Sequence, residues 1–274
     1  MSSPETTVEL PGADLDLSRM PGHWLLARMG KRVLRPGGLE LTRTMLAQLA
    51  VTNEDQVVEL APGLGTTTRM VLASNPASYV GVERDEAAVR ATKRVLRPGR
   101  DECRQGLASK TGLESASATV VFGEAMLTMH TAEQKAAIIR EAHRVLREGG
   151  RYGIHELALT PDDLSERDTS EIQRALSEAI HVGARPLTVS EWRELLEAAG
   201  FEVLSTETAP MHLLEPARLV ADEGVLGTLR IAANVLRTPA ARRRVLGMRA
   251  VFNRYESKMC AVALVARKKK GAAS

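Results

Sequence analysis

The stretch VVELAPGLGTTTRM, residues 57–70, decides the fold. It begins as a short apolar, β-rich run, continues into a turn with two glycines, and ends in a threonine-rich helix start. A glycine turn between a strand and a helix is typical of nucleotide-binding α/β proteins. No Gly-Lys-Ser/Thr follows, which disfavours a phosphate loop. The third glycine of the dinucleotide fingerprint is also absent, so a dinucleotide fits poorly.

The flanking sequence continues the alternation of strand and helix. Predicted strands cover 56–61, 78–83, 118–122, 151–157, 201–206 and 261–267, with helical patterns between most of them. Thr131 with Gln134, and Thr188 with Glu191, each show the pattern of a helix capping box. The alternation predicts an α/β fold with a doubly wound, Rossmann-like parallel sheet, whose ligands bind at the carboxyl ends of the strands.

Three similar hexapeptides, VLRPGG, VLRPGR and VLREGG, occupy 33–38, 95–100 and 145–150. Each is interpreted as a helix C-terminus, because arginine favours the negative end of the helix dipole and glycine readily takes a positive φ. A short helix is therefore predicted over 23–34, and the helix that starts after Thr131 is predicted to stop at Gly149.

Composition narrows the class of protein. The chain has 274 residues, is 44% hydrophobic and carries a net charge of +3, which demands no strongly charged partner. Its two distant cysteines form no metal-binding pattern, so no metal is predicted. The polar N-terminus shows no signal peptide and no membrane span is visible, so a cytoplasmic protein is expected. Aromatic residues make up only 3%, which argues against nucleic acid as a substrate.

Two carboxylates indicate which nucleotide binds. Glu83 ends the second predicted strand, where a carboxylate accepts hydrogen bonds from both ribose hydroxyls. Glu59 ends the first strand, beside the glycine turn, where it can attract a cationic group of the ligand. An adenosyl ligand with a positive end and no phosphate is S-adenosylmethionine (SAM).

These residues resemble the class I SAM-dependent methyltransferases, of the small-molecule type (methyltransferase type 11) related to quinone-biosynthesis enzymes. VVELAPGLG is similar to the family's glycine motif, VGVERDEAAV to its ribose-binding segment, and ATVVFGEAMLTM to the segment after its fourth strand. EAHRVLREGGRYGIHELAL and LTVSEWRELLEAAGFEVL resemble its later motifs. The resemblance covers about 56–204 and implies a seven-stranded sheet whose last strand is antiparallel.

The resemblance also implies a cofactor site. The residues expected to bind SAM are Glu59, Ala61, Gly63, Gly65, Glu83, Arg84, Gly106, Leu107, Ala108, Gly123, Glu124 and Ala125. Two of them depart from the family pattern, because Ala61 stands where glycine is frequent and Leu107 stands where an adenine-binding aspartate is common.

Methyl transfer from a sulfonium is an in-line displacement, and it needs a general base only when the acceptor must lose a proton. Candidates for that base are Glu124, His130 and His155, the last with Glu156 as its orienting carboxylate. The structural alternatives are a solvated loop carboxylate for Glu124, a residue preceding a helix cap for His130, and a hydrogen-bonded structural histidine for His155.

The predicted domain organisation has four parts. They are an N-terminal arm with helices (1–52), a SAM-binding domain (53–206 plus 259–268), a helical insertion (207–258) and a disordered tail (269–274). The insertion, together with the N-terminal helix around His23 and Trp24, is expected to form a lid or wall over the substrate pocket. The alternative is a homodimer interface, since the apolar stripes of the insertion must be buried. Its arginine cluster, Arg242, Arg243, Arg244 and Arg249, is interpreted as a solvated helix face.

The expected function is transfer of the SAM methyl group to a small-molecule acceptor, with S-adenosylhomocysteine (SAH) as product. The alternatives are a non-catalytic SAM-binding or interaction protein and, less favoured, an NAD(P)-dependent oxidoreductase. A nucleic-acid methyltransferase is disfavoured, because FGEAM stands where a base-flipping Asn/Asp-Pro-Pro-aromatic motif would be needed.

Overall fold

A computed structural model describes residues 11–12 and 15–270. Residues 1–10 and 13–14 of the predicted N-terminal region, and residues 271–274 of the predicted tail, lie outside the described residues. None of the helices in the described part is both long and apolar enough to cross a membrane.

One mixed sheet contains every strand of the described chain. The strands are β1 (Gln56–Leu60), β2 (Ser78–Glu83), β3 (Asp101–Gln105), β4 (Ala118–Glu124), β5 (Leu146–Leu159), β6 (Leu187–Thr188), β7 (Phe201–Pro210) and β8 (Met259–Lys268). Their order is β3-β2-β1-β4-β5-β8-β7, with the two-residue β6 paired beside β5. Because β8 runs antiparallel to both β5 and β7 while β1 to β5 are parallel, the doubly wound sheet with an antiparallel last strand is confirmed.

Helices cover both faces of the sheet and one of its ends. They are α1 (Gly22–Arg28), α2 (Gly38–Leu49), α3 (Thr66–Leu72), α4 (Glu86–Lys93), α5 (Ala132–Val145), α6 (Glu166–Ile180), α7 (Val189–Ala198), α8 (Pro216–Arg237) and α9 (Pro239–Arg254). Both predicted capping boxes are confirmed, at Thr131 for α5 and at Thr188 for α7.

The hexapeptide interpretation is wrong at the first site, whereas the third site does contain a helix C-terminus and a glycine with positive φ, although the helix ends four residues before Gly149. The first helix ends at Arg28 rather than near residue 34, because Gly30 takes a φ of 104° that no helix accommodates. Residues 33–38 instead lead into α2 through Gly37, which also has a positive φ. Helix α5 ends at Val145, since Leu146 is already extended and opens β5, so Gly149 lies inside a strand.

Parallel pairing places the carboxyl ends of β1, β2, β4 and β5 at one edge of the sheet. Two buried apolar clusters fill the two faces of the sheet. One is centred on residues such as Val121, Ile139 and Trp192, and the other on Met45 and Phe122. A third cluster joins α1, α6 and α9 and includes Leu26, Leu176 and Phe252. This third cluster lies beyond the strand ends and builds a second wall opposite them.

Helix α8 holds the segment 31–39 in place through two adjacent carboxylates. Glu223 accepts hydrogen bonds from the backbone N–H groups of Arg32 (2.8 Å) and Val33 (2.9 Å). Asp222 accepts one from the N–H of Leu39 (2.9 Å). Directly after them, Gly224 leaves the helical conformation with φ 72° and ψ 169° and kinks α8. The insertion is therefore attached to the loop that enters α2.

Candidate active site

A cavity of about 640 Å³ opens at the carboxyl edge of the sheet. We call the side formed by the strands and their following loops the strand-end wall. It includes Glu59, Ala61, Gly63, Glu83, Arg84, Gly106, Leu107, Ala108, Glu124 and Ala125. The volume of the cavity lies within the range of roughly 300–1,000 Å³ found for small-molecule sites. Gly65 and Gly123 lie beneath this wall rather than on it.

Those two glycines have packing roles. A Cβ on Gly65 would come within 3.3 Å of the Thr92 Cα, and the residue has a φ of 72°. A Cβ on Gly123 would come within 3.2 Å of the Leu60 carbonyl oxygen. Both positions therefore need glycine so that backbone can approach backbone. At Ala61, by contrast, a side chain occupies a left-handed conformation (φ 56°), where the family frequently has glycine.

Glu59 is buried and occupied by hydrogen bonds. Its Oε2 accepts from the Tyr79 hydroxyl (2.7 Å) and from the Thr68 hydroxyl (2.8 Å). Burial raises the pKa of Glu59 to about 7, although both hydroxyl bonds lower it. The carboxyl is therefore poised to ionise when a cation arrives on the strand-end wall.

Glu83 lies on the strand-end wall and is held by backbone hydrogen bonds. Its Oε2 accepts from the Gly63 N–H (3.0 Å) and its Oε1 from the Asp85 N–H (2.9 Å), so the side chain is fixed against the glycine turn. Burial raises the pKa of this carboxyl above its ordinary value. The Gly106 N–H donates to the Glu83 carbonyl oxygen (2.9 Å), which ties the loop after β3 to the end of β2.

Arg84, Gly106, Leu107 and Ala108, which the resemblance assigns to the cofactor, line the cavity beside Glu83. Leu107 is about half exposed (53%) and carries no polar group toward the cavity. Any hydrogen bond that this part of the wall offers to an adenine amino group must therefore come from another residue or from the backbone.

Glu124 is a buried ion with several partners. Its Oε1 accepts from the Thr42 hydroxyl (2.6 Å) and lies 2.8 Å from His155 Nδ1. Arg35 Nε is 3.3 Å away, and the Thr67 hydroxyl donates to the other carboxylate oxygen. Burial alone would raise the pKa of Glu124, but Arg35 and His155 hold it at about 2. So weak a base is poorly suited to remove a proton at neutral pH.

The expected pairing of His155 with Glu156 is wrong. Successive residues of β5 point to opposite faces of the sheet, so the two side chains separate. His155 is fully buried between Glu124 and the Pro36 carbonyl oxygen, which lies 2.7 Å from Nε2, and it does not line the cavity. Both ring nitrogens face acceptors, so both contacts are hydrogen bonds only when the ring is doubly protonated. His155 therefore connects the loop before α2 to the sheet.

Glu156 holds the loop after β4 from the opposite face. Its oxygens accept from the N–H groups of Met126 (2.9 Å), Leu127 (2.8 Å) and Thr128 (3.0 Å). The Thr128 hydroxyl adds a fourth bond at 2.7 Å. Burial raises the pKa of Glu156. This carboxyl shapes the loop that carries Ala125 and His130.

His130, like Glu124, is a candidate base on the lining of the cavity. Its ring is half-buried and lies on the lining, and Nδ1 is 2.8 Å from the Met126 carbonyl oxygen. A carbonyl oxygen can only accept, so Nδ1 carries the hydrogen and Nε2 of the neutral ring is an acceptor. Because its ring lies on the lining and Nε2 has an acceptor lone pair in this tautomer, His130 stays a candidate base.

One residue of the site was missed by the sequence interpretation. Arg35 is buried and lines the cavity, and its Nη2 has no hydrogen-bond partner within the described chain. The only signal for Arg35 was its place in 33–38, a hexapeptide interpreted as a helix stop. His23 and Trp24 of α1, the helix expected to help cover the substrate pocket, also line the cavity, and burial, assisted by Arg84, lowers the pKa of His23 to about 4.

The opposite side of the cavity is apolar, and we call it the apolar wall. It is formed by Leu26 of α1, Leu176 and Ile180 of α6, Val182 in the loop after α6, and Met248 and Phe252 of α9. Residues far apart in the chain meet here through the cluster that joins α1, α6 and α9. The site thus combines one polar, precisely hydrogen-bonded wall with one hydrophobic wall.

Known proteins are similar to this chain in sequence and in fold. A family profile described as a methyltransferase domain matches residues 58–154. An uncharacterized protein of Haemophilus influenzae is 32% identical over 251 residues, which cover 90% of this chain and 98% of that protein. The structure of the [4+2]-cyclase SpnF is similar with a TM-score of 0.69 and 17% identity, covering 92% of this chain and 97% of that one.

A second solved structure is similar at the same level. Phosphoethanolamine N-methyltransferase 2 of Haemonchus contortus, solved in complex with S-adenosyl-L-methionine, has a TM-score of 0.67 and 16% identity. The match covers 91% of this chain and 57% of that one.

The sheet order, the glycine turn and the strand-end carboxylates define a Rossmann-like α/β protein with a nucleoside site at the carboxyl edge of its sheet. The chain belongs to the class I SAM-dependent methyltransferases, and SAM is its cofactor.

Proposed function

We propose that the protein transfers the SAM methyl group to a small, largely apolar molecule and releases SAH. The observation that carries this proposal is the single cavity in which the strand-end wall faces the apolar wall. A donor bound along the first wall would present its methyl group to an acceptor packed on the second. Such alignment supplies most of the rate acceleration in an in-line displacement.

The strand-end wall supports a definite orientation of the donor. Glu83 would accept hydrogen bonds from the ribose hydroxyls, and residues 106–108 with Arg84 would flank the adenine. The methionine part would lie along Ala61 and Gly63, near Glu59. There the unpartnered Nη2 of Arg35 would donate to the methionine carboxylate, which explains a buried guanidinium at the cavity.

His130 is proposed as the general base for an acceptor that carries a proton. The acceptor's nucleophilic atom would form the new bond to the methyl carbon while the methyl–sulfur bond breaks and its electron pair stays on sulfur. The acceptor's proton would pass to Nε2 of His130. Glu124 and His155 are proposed as positioning residues, because their hydrogen bonds are already used within the protein.

The insertion is proposed as a wall of the acceptor site rather than a separate domain. Met248 and Phe252 of α9 line the cavity, and Asp222 and Glu223 of α8 hold the segment that carries Arg35. The domain assignment of 53–206 plus 259–268 around the sheet, with 207–258 as a lid, is consistent with this arrangement. Strand β7 itself continues past residue 206, to Pro210.

Detection of SAH tests the proposal. The protein would be incubated with SAM and fractionated metabolite extracts, and SAH and a product heavier by one methylene would be sought by mass spectrometry. We expect turnover in apolar fractions. Failure of every fraction, with SAM binding intact by calorimetry, would contradict methyl transfer to a small molecule.

A His130→Asn variant separates the base from the rest of the site. Loss of a general base lowers kcat by about 10²–10⁴-fold. The acceptor KM and the SAM affinity should stay nearly unchanged. His143→Asn is a matched control, because His143 lies on α5 and does not line the cavity.

The second candidate is a SAM-binding protein that does not methylate. It is favoured by the similarity of the whole fold to a protein described as a [4+2]-cyclase. A cyclisation would convert an apolar molecule without change of mass and without release of SAH, so the same mass measurement distinguishes the two.

A further inference from the structure

The charges of the insertion are distributed very unevenly. Residues 224–255 contain seven arginines and no aspartate, glutamate or lysine. The whole chain carries +3, so the rest of the chain has a net charge of 3 − 7 = −4. The positive charge of this protein is thus concentrated in the kinked half of α8 and in α9.

The same half of α8 exposes an apolar stripe. Val225, Leu226, Leu229 and Leu236 are all more than 60% exposed, with Leu226 at 83%. Leu229 follows Leu226 by three residues and Val225 by four, and Leu236 follows seven residues later, so these side chains lie along one side of the helix. Arg230 and Arg237 are exposed and border this stripe. The opposite side of α8 is used in packing, since Ile231 is buried.

Helix α9 continues this surface after the turn at Thr238. Arg242, Arg243 and Leu246 are exposed, and the first two follow closely after Leu236 and Arg237 in the hairpin. The remaining arginines of α9 have partners within the chain. Arg244 donates to the Leu17 and Met20 carbonyl oxygens, Arg249 pairs with Glu215, and Arg254 with Glu171.

We propose that this α8–α9 surface, formed by Val225, Leu226, Leu229, Leu236, Leu246 and Arg230, Arg237, Arg242, Arg243, docks on an anionic phospholipid bilayer. Exposed leucines flanked by arginines match the boundary between acyl chains and negatively charged headgroups. The absence of carboxylates from residues 224–255 removes the repulsion that such a membrane would otherwise exert.

The charge of the surface favours an anionic bilayer over a second copy of the chain, a nucleic acid or a neutral apolar partner. A second copy docked through the same face would bring two arginine clusters together, and like charges at an interface are unfavourable. Nucleic acid would match the arginines but leave the leucines exposed. A neutral apolar partner would leave the arginines without anions. Of these partners, the anionic bilayer is the one that satisfies both parts of the surface.

The position of α9 connects this surface to the cavity. Leu246 and Arg243 lie on its outer side, whereas Met248 and Phe252 on its inner side line the apolar wall. A protein resting on the bilayer through α8 and α9 would therefore hold the apolar side of its cavity close to a source of apolar molecules. The docking itself does not depend on the proposed methyl transfer.

Flotation of the full chain with lipid vesicles tests the proposal. One vesicle set contains phosphatidylcholine alone, and the other contains phosphatidylcholine with a minor fraction of phosphatidylglycerol. We expect binding to the second set only, with an affinity that falls as salt is raised, because exposed charges are screened.

Two variants identify the surface. Replacing Arg237, Arg242 and Arg243 by Gln should weaken binding about fivefold per arginine, or about a hundredfold together. Leu229→Ser with Leu236→Ser should also weaken it strongly. The matched control combines Leu204→Ser on β7 with Arg140→Gln on α5, which replaces exposed residues outside the surface and should bind normally.

The remaining outcomes overturn the proposal. They are no binding to anionic vesicles, equal binding to both vesicle sets, or equal loss in the control variant. A dimer that dissociates only in the leucine variant would identify a self-association interface instead. Selective retention on DNA, abolished in the arginine variant, would identify a nucleic-acid surface. Circular dichroism and thermal unfolding verify that each variant is folded.

Discussion

The strand-end wall and the apolar wall enclose one cavity, but their residues are organised differently along the chain. The first comes mostly from short loops that follow consecutive strands, so Glu59, Ala61 and Gly63 lie within five residues. The second brings together α1, α6 and α9, which are separated by most of the sheet. The two walls therefore have different origins, one local and the other tertiary.

The difference extends to chemistry. Carboxylates on the strand-end wall are held by backbone N–H groups and hydroxyls at defined distances, as at Glu83 and Glu59. Such contacts bind one ligand in one orientation. Leucine, isoleucine and methionine on the apolar wall make hydrophobic contacts that do not fix the orientation of a ligand, and methionine in particular adapts to different shapes. The strand-end wall therefore suits a methyl donor that is always the same molecule, and the apolar wall suits an acceptor whose shape is less narrowly defined.

The largest effect that would test this contrast is expected from Glu83→Ala. Hydrogen bonds to a charged group contribute about 1.5–3 kcal/mol each, so losing two ribose contacts should weaken SAM binding by about a hundredfold or more. Calorimetric titration with SAM and SAH measures the change. Glu86→Gln, on the exposed start of α4, is the matched control and should bind normally. Normal SAM affinity in Glu83→Ala would remove the basis of the proposed orientation.

The second test introduces a charge on the opposite wall. Val182 is half-buried and lines the cavity, so Val182→Asp places a carboxylate where an apolar acceptor would pack. We expect the acceptor KM to rise about thirtyfold, equivalent to about 2 kcal/mol for burying an unpaired polar group. The SAM affinity should not change, and Val182→Leu should retain activity. A variant that loses SAM binding and acceptor binding together would show that the walls are not independent.

A smaller effect is expected from pH. The pKa of Glu59 is about 7 in the free protein, raised by burial, so the carboxyl is largely protonated below that pH. A cationic ligand nearby favours the ionised form, so SAM should bind up to about tenfold more tightly at pH 8 than at pH 6, with release of a proton. Calorimetry in buffers of different ionisation enthalpy measures that proton.

The same shift has a consequence for stability. Because the pKa of Glu59 is higher in the folded state than in the unfolded state, protonation of this carboxyl stabilises the fold. This contribution to the free energy of unfolding is fully present below the unfolded pKa of 4.5 and is lost as the pH rises through 7. Glu59→Gln should abolish both the proton release and this loss of stability. Proton release that persists in the variant would assign it to another group.

The smallest effect is expected at the glycine turn. Ala61 has a φ of 56°, a conformation that costs about 1–2 kcal/mol for a residue with a Cβ, while glycine loses about 0.5–1 kcal/mol of chain entropy. Ala61→Gly should therefore stabilise the fold by about 0.5 kcal/mol. Ala47→Gly, in the exposed interior of α2, should destabilise it by about 1 kcal/mol. Denaturant unfolding measures both, and destabilisation by Ala61→Gly would contradict the strain argument.

Sequence reasoning succeeded where a role depends on neighbouring residues. The turn after β1, the carboxylate ending β2 and both capping boxes could be predicted, because each is a short-range pattern with one physical explanation. It failed where a side chain's direction mattered. His155 and Glu156 are adjacent in sequence, yet pleating turns one toward Glu124 and the other toward the loop 126–128.

By itself, the sequence determined the α/β class, the nucleoside-binding turn and the carboxylates beside it, since hydrophobic alternation and turn chemistry act over a few residues. Only the tertiary structure decided that Arg35 meets Glu124, that His155 is buried, and that α6 and α9 pack together to form one wall of the cavity. Those contacts join residues far apart in the chain. Packing and burial select such partners, and no local pattern records them.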